Sequence, residues 1–272
     1  MRGFMKKTKI IFLIIFMLTL VACTKSNECG SINIIAHAGG AIDGVPMTNS
    51  REALFAARDK GYKFIEFDLL FTADSMLVAC HSWEEYNAAT GASEKGNVAP
   101  TLEEFLSRPL PGGFTPLTAT EINDFFLSHD SLYLVTDKVS DAKILNKFFP
   151  QLKKRMVVEA FNYNDYTELL QQGYAHVAYS CMATDIDSAP IKHLVFHWLF
   201  PGEKIKCVAL HTSAFDYTYL KILRTVADFK IALFTVNKLD EIPEKYIKDI
   251  SFLYTDSLPP TVAKRLKECI IK

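Results

Sequence analysis

FIEFDLLFTADSMLVACH, residues Phe64 to His81, is the stretch on which the reading of the fold turns. Its first eight residues have the apolar, aromatic-rich character of a buried β-strand. Two carboxylates interrupt them, Glu66 and Asp68. Strand side chains alternate, so this pair points to one face while Ile65, Phe67 and Leu69 point to the other. Two like charges in an apolar strand repel each other and are costly to desolvate, so they need a cation or a proton. Thr72 to Ser75 reads as a turn, and a second short strand, Met76 to Cys80, delivers His81 close to the pair. Two readings stand for these residues. One is a metal-assisted acid–base site; the other is a structural ion pair with a nearby Lys or Arg beside an unrelated histidine.

Outward from this stretch the chain alternates strand and helix. Strands are expected at 31–37, 64–71, 76–80, 132–136, 155–160, 175–181, 206–211, 230–235 and 251–254. Helices are expected at 50–60, 118–128, 141–149, 164–172, 191–200, 215–227, near 239–246 and at 261–271, with a short one opened by Pro100. Asn49 is read as the cap of the first helix, with Glu52 completing a capping box. Residues 84–97 carry Gly91 and Gly96 without periodicity and read as a long loop. Eight main strands, nearly all followed by helices, predict a parallel (β/α)8 TIM barrel over residues 31–272, with a doubly wound open sheet as the competing architecture. Functional residues of a barrel gather at the C-terminal strand ends. Those ends here carry His37, Glu66 with Asp68, Asp137, Phe161, His211, Asn237 and Asp256, where the polar residues concentrate, and this favours the barrel.

The N-terminus is set apart from the fold. Arg2, Lys6, Lys7 and Lys9 precede an apolar run from Ile10 to Val21, shorter than the roughly 20 residues of a membrane span. It ends in Leu20-Val21-Ala22-Cys23, which resembles a bacterial lipobox. The expectation is a lipoprotein signal peptide at 1–22, a lipid anchor at Cys23 and a polar tether at 23–30, on a protein exported to the cell envelope. An uncleaved anchor and an ordinary signal peptide are the alternatives. Of the six cysteines, the five after Cys23 show no CxxC pairing, so Cys80, Cys181 and Cys207 are read as buried thiols in strands. The 272 residues are 49% hydrophobic with a formal net charge of −1, a composition with no basic field for nucleic acid.

Several motifs together carry a family resemblance. His37-Ala38-Gly39-Gly40, Thr48-Asn49-Ser50, Glu66-Phe67-Asp68 and His81 resemble the opening of the glycerophosphodiester phosphodiesterase family. Leu132–Lys138 (LYLVTDK), Val157–Asn162 (VVEAFN), Phe234–Asn237 and Tyr254–Asp256 resemble its later strand ends, in order. The resemblance implies a barrel, a divalent cation, and cleavage of a phosphodiester to a phosphomonoester and an alcohol. It implies that Glu66, Asp68 and Asp137 are metal ligands and that His37 and His81 are the catalytic histidines. Oxygen-only ligands suit Ca²⁺ or Mg²⁺, and histidine is the side chain type best suited to serve as either acid or base near neutral pH.

The sequence also departs from the family. Ala38 stands where the family has Arg, Thr48 where it often has Glu, and Asp137 where it has Glu. Lys138 directly follows Asp137 instead of standing two residues on. Lys138 is therefore read either as a substrate contact or as an outward-facing surface lysine. Trp83 either stacks on substrate or covers the barrel mouth. The expected substrate is a small-molecule, lipid or glycan phosphodiester. A catalytically silent phospho-ligand-binding barrel and a phospholipase for lyso- or inositol phospholipids are the alternative functions.

Overall fold

The computed structural model describes residues 32–181, 205–213, 229–242 and 244–270. The expected signal peptide and tether, and the helices expected at 191–200 and 215–227, lie outside the described residues. Among those described, nine strands form one sheet. They are β1 (Asn33–Ala36), β2 (Phe64–Phe71), β3 (Leu77–Ala79), β4 (Tyr133–Asp137), β5 (Met156–Ala160), β6 (His176–Cys181), β7 (Cys207–His211), β8 (Lys230–Phe234) and β9 (Ile250–Thr255). All except β3 run parallel, and β1 pairs with both β2 and β9, so eight strands close into a barrel. The open-sheet alternative is excluded. β3 is an antiparallel hairpin partner of β2, with Leu69 opposite Ala79.

The alternation of side chains sorts the core into two shells. Ile65, Phe67 and Leu69 point outward into the layer beneath the helices. Ile35, Phe64, Val135, Val157, Ala178, Ala209, Ala232, Phe252 and Tyr254 form a separate cluster inside the barrel. Small residues on β6, β7 and β8 share the lumen with aromatic ones on β2 and β9. Two residues beyond these fillers, on the same face of each strand, stand His37, Glu66, Asp137, Glu159, Ser180 and His211. A polar layer therefore lies above the apolar plug, at the C-terminal end of the barrel.

Seven α-helices lie in the described residues: α1 (Arg51–Asp59), α2 (Trp83–Ala89), α3 (Leu102–Ser107), α4 (Ala119–Ser128), α5 (Ala142–Phe148), α6 (Tyr163–Gln171) and α7 (Val262–Ile270). Thr101 with Glu104 and Thr118 with Glu121 form capping boxes on α3 and α4. The cap of α1 is Ser50, whose Oγ accepts from the Ala53 N–H, and not Asn49. Glu52 closes no capping box there. Its carboxylate accepts from the N–H and hydroxyl of Thr115.

Two other expectations are corrected. The region 84–97 is not a structureless loop, since it contains most of α2 and a 3-10 turn at Ser93–Lys95. Ser82 caps α2, and Trp83 and Tyr86, three apart, plant it on Phe105 and Leu110. The helix expected near 239–246 is replaced by two 3-10 segments, Leu239–Glu241 and Glu244–Asp249. Pro243 lies between them in sequence and lacks the N–H that a continuous helix needs. Cys80 is buried, Cys207 is only partly so, and both are free thiols.

Candidate active site at the barrel mouth

β2 and β4 lie side by side in a register that pairs Glu66 with Val135 and Asp68 with Asp137. Glu66, Asp68 and Asp137 each present a carboxylate oxygen within 4.8 Å of the others. Glu66 and Asp68 are almost fully buried. Glu66 Oε2 accepts a 2.6 Å hydrogen bond from the Ala38 N–H, while Oε1 is buried without a partner. Asp68 is held by Asn49, whose Nδ2 donates to Oδ2 at 2.9 Å and whose Oδ1 accepts from the Asp68 N–H. Asp137 Oδ1 accepts from the Lys138 N–H at 2.6 Å.

Repulsion sets the electrostatics. Burial, then the charges of Asp68 and Asp137, push the Glu66 carboxyl well above its usual range. Burial, then Asp68, pushes Asp137 up as well. Lys138 offsets part of this with its Nζ 3.5 Å from Asp68 Oδ1. One ammonium cannot neutralise three clustered carboxylates. The donor set is all oxygen, one buried oxygen has no partner, and the three groups converge on one point. These residues fit a hard divalent cation such as Ca²⁺ or Mg²⁺.

The strand pattern alone would turn Lys138 away from Asp137. Instead Lys138 has φ +66°, a left-handed residue that ends the alternation, and its side chain returns to the cluster. Of the two readings left open by the sequence, the structure therefore places Lys138 at the site.

His37 follows β1 and faces the same mouth. Its Nδ1 donates to Asp256 Oδ1 at 2.8 Å. Asp256 is fixed in turn by Asn237, whose Nδ2 donates to Oδ2 at 2.7 Å and whose Oδ1 accepts from the Asp256 N–H. His81 sits just beyond β3, where the Cys80 N–H donates to the Asp68 carbonyl and ties the segment to the cluster. Its Nδ1 donates to Glu85 Oε2 at 2.7 Å, one helical turn onward. Each imidazole thus has a carboxylate on Nδ1, which leaves Nε2 as the nitrogen free for proton transfer.

Trp83 is 7% exposed, and its ring packs edge-on against Tyr86 and Phe105 in an apolar cluster with Val78, Cys80 and Leu110. His129 stacks on Phe125. His211 is at its strand end with Nδ1 near Ser213 Oγ.

Sequence reasoning passed over Glu159 and the role of Asn49. Glu159 is buried on β5, where Thr136 pairs with Val158 and Glu159 follows one residue on. Burial, then the charge of Asp137, pushes its carboxyl up to about 8. An acid in the apolar run VVEAFN is the same signal that exposed Glu66 and Asp68. Asn49 was legible only as a polar residue before a helix.

The fold and site define a closed (β/α)8 barrel with a hard-cation-type acidic cluster and two carboxylate-supported histidines at its C-terminal mouth. No protein-family model and no curated protein matches the sequence. Solved structures do match in fold. A glycerophosphodiester phosphodiesterase from Parabacteroides distasonis is 19% identical with a TM-score of 0.63, covering 88% of this chain and 98% of that one. A glycerophosphodiester phosphodiesterase from Thermotoga maritima is 17% identical, TM-score 0.61, covering 88% and 98%. A phosphodiesterase from Oleispira antarctica, solved with the product sn-glycerol-3-phosphate, is 18% identical, TM-score 0.61, covering 88% and 97%. The shared property is the barrel fold across nearly the whole length of each relative.

Proposed function

We propose that this chain is a metal-dependent phosphodiester hydrolase, resembling the glycerophosphodiester phosphodiesterases, that releases an alcohol and a phosphomonoester. The observation that carries the reading is the convergence of Glu66, Asp68 and Asp137 within 4.8 Å at the barrel end where His37 is held by Asp256. The Oleispira antarctica phosphodiesterase, solved with the product sn-glycerol-3-phosphate, supports a small phosphodiester as the substrate class.

Glu66, Asp68 and Asp137 would hold the cation, which when bound supplies positive charge to the phosphoryl oxygens. Lys138 adds a positive charge beside Asp68 and contacts the phosphate. One imidazole, at Nε2, takes a proton from the attacking water as the new P–O bond forms, so the water oxygen stays on phosphorus in the phosphomonoester. As the ester P–O bond breaks, the other imidazole gives its proton to the leaving alkoxide. Asp256 and Glu85 fix the tautomers and stabilise the imidazolium each histidine passes through. Ala38 leaves the phosphate without the bidentate donor that an arginine there would supply.

The test is a phosphodiester panel with Ca²⁺ or Mg²⁺, comparing wild type with His37→Ala and His81→Ala at equal metal occupancy. Each substitution is expected to leave metal affinity nearly unchanged and to cut the rate by on the order of 10²–10⁴. Metal and ligand binding with no turnover of any diester would instead mark a phospho-ligand-binding barrel.

The protein is further proposed to be a lipoprotein of the cell envelope, anchored at Cys23. Wild type should then partition into detergent and Cys23→Ala should not. Equal partitioning and identical mature mass would overturn that proposal.

A further inference from the structure

Beside the cluster lies a cavity of about 140 Å³, with room for several water-sized groups. It shares three residues with the candidate site, Asn49, His81 and Glu85, so it continues the site on the His81 side. One wall is the loop between β1 and α1, with Val45, Pro46 and Met47. The other wall is α2, with Ala89, and Leu110 closes the end. The loop is shaped to stand there: Met47 and Asn49 both have positive φ, and Ile42 and Val45 bridge to each other. No lysine or arginine lines the cavity, and its one carboxylate, Glu85, is engaged with His81. A second anionic group on the ligand would find no lysine or arginine here and would lie close to Glu85, which already holds His81.

We infer that this cavity is the subsite for one alcohol substituent of the diester and that it selects an uncharged alcohol with an apolar body. This rests on the phosphodiesterase reading and narrows its substrate class. Diesters whose alcohol carries a carboxylate or a further phosphate are disfavoured. Those whose alcohol begins with a short run of methylenes are favoured, because each methylene that enters leaves water.

The experiment uses methyl alkyl phosphates, from ethyl to hexyl, and a carboxyalkyl analogue of matched length, with the full-length protein in Ca²⁺ or Mg²⁺. Binding is read by calorimetry and cleavage by release of the alcohol. Affinity should rise about three- to fourfold for each methylene until the cavity is full. The carboxyalkyl diester should bind at least about tenfold more weakly than its neutral match, the loss expected from an unpaired charge beside a carboxylate. Ala89→Lys and Val45→Lys, both at exposed positions, should shrink that gap by supplying a cation. A flat alkyl series, equal binding of the carboxyalkyl diester, or no binding of the series at all would overturn the subsite. Cleavage with a flat series would leave the hydrolase reading standing without it. The expected binding order with no cleavage would keep the subsite and remove the hydrolase.

Discussion

His37 and Asp256 meet across the seam where the first and last strands of the barrel pair, with Nδ1 2.8 Å from Oδ1. The two are 219 positions apart in the chain, so closure of the barrel is what assembles this pair. Asp256 keeps its charge: although burial pushes its carboxyl up, the hydrogen bonds from His37 and Asn237 outweigh that and hold it below the usual range.

Asp256→Asn should therefore preserve the fold while removing the charge behind His37. Turnover is expected to fall by on the order of 10–10³, less than the loss of the imidazole itself. Divalent-cation affinity should stay close to wild type. A pH–rate profile is the decisive measurement, because a carboxylate charge that acts on the reaction alters it and a purely structural one does not. An unchanged profile with unchanged rate would show that Asp256 only closes the seam.

The acidic cluster makes a prediction about stability in the metal-free protein. Glu66, Asp68 and Asp137 repel one another, and Glu66 Oε1 has no partner. Glu66→Gln keeps an acceptor for the Ala38 N–H and removes one charge. Without divalent cations, the variant should be more stable than wild type by about 1 kcal/mol, or roughly 2–4 °C in Tm. Ca²⁺ or Mg²⁺ should raise the Tm of wild type and barely move that of Glu66→Gln. Thermal melts in chelator and in excess cation check both halves. An equal rise for the two proteins would remove Glu66 from the ligand set.

Acid should weaken the fold through carboxylates far from the site. Burial alone pushes Glu52 up, but the hydroxyl and N–H of Thr115 outweigh it, and the carboxyl lies below its usual value. Burial likewise pushes Glu121 up, and the bonds from Thr118 and the ion pair with Arg51 bring it below. Each folded-state value lies under the unfolded one, about 4.3 for Glu. Their stabilisation is therefore complete above that pH and is lost as the pH falls through the folded values. Urea midpoints of wild type should drop between about pH 5 and pH 3. Glu52→Gln should show a shallower drop and a lower midpoint at pH 7. Parallel pH curves for the two proteins would refute the assignment to Glu52.

What could be seen in the sequence follows from how far each signal reaches along the chain. The strands were legible because a buried parallel strand is a continuous apolar run, so the few charges that break it, Glu66 and Asp68, were conspicuous. Asp137 and His37 were legible by their place at strand ends. The helix α2 was not, because at seven residues it spans barely two turns and shows only Trp83 and Tyr86 at helical spacing. Lys138 could not be oriented, because strand alternation fails at a left-handed residue and nothing in the Asp-Lys pair announces φ +66°. The partners of the histidines divide in the same way. Asp256 stood out as a polar strand end, but its pairing with His37 depends on barrel closure, which no local pattern encodes.

Asn49 and Ser50 separate two roles that are adjacent in sequence. Ser50 caps α1 through the Ala53 N–H, and its Oγ also lies 2.9 Å from Thr48 Oγ1. Asn49 reaches the other way and fixes Asp68 with two hydrogen bonds, from a backbone at φ +49° that asparagine tolerates better than alanine. Ser50→Ala should cost about 0.5–2 kcal/mol of stability, the usual worth of a helix cap, and leave cation affinity intact. Asn49→Ala should cost at least as much, about 1–3 kcal/mol, because Asp68 is left with an unpaired buried oxygen. It should also weaken Ca²⁺ or Mg²⁺ binding by about 10–100-fold, the usual effect of removing a group that orients a metal ligand. Denaturant titration and calorimetry of the two variants, side by side, distinguish the roles. If Asn49→Ala lost stability but kept wild-type cation affinity, Asn49 would be a structural tie and Asp68 would not depend on it.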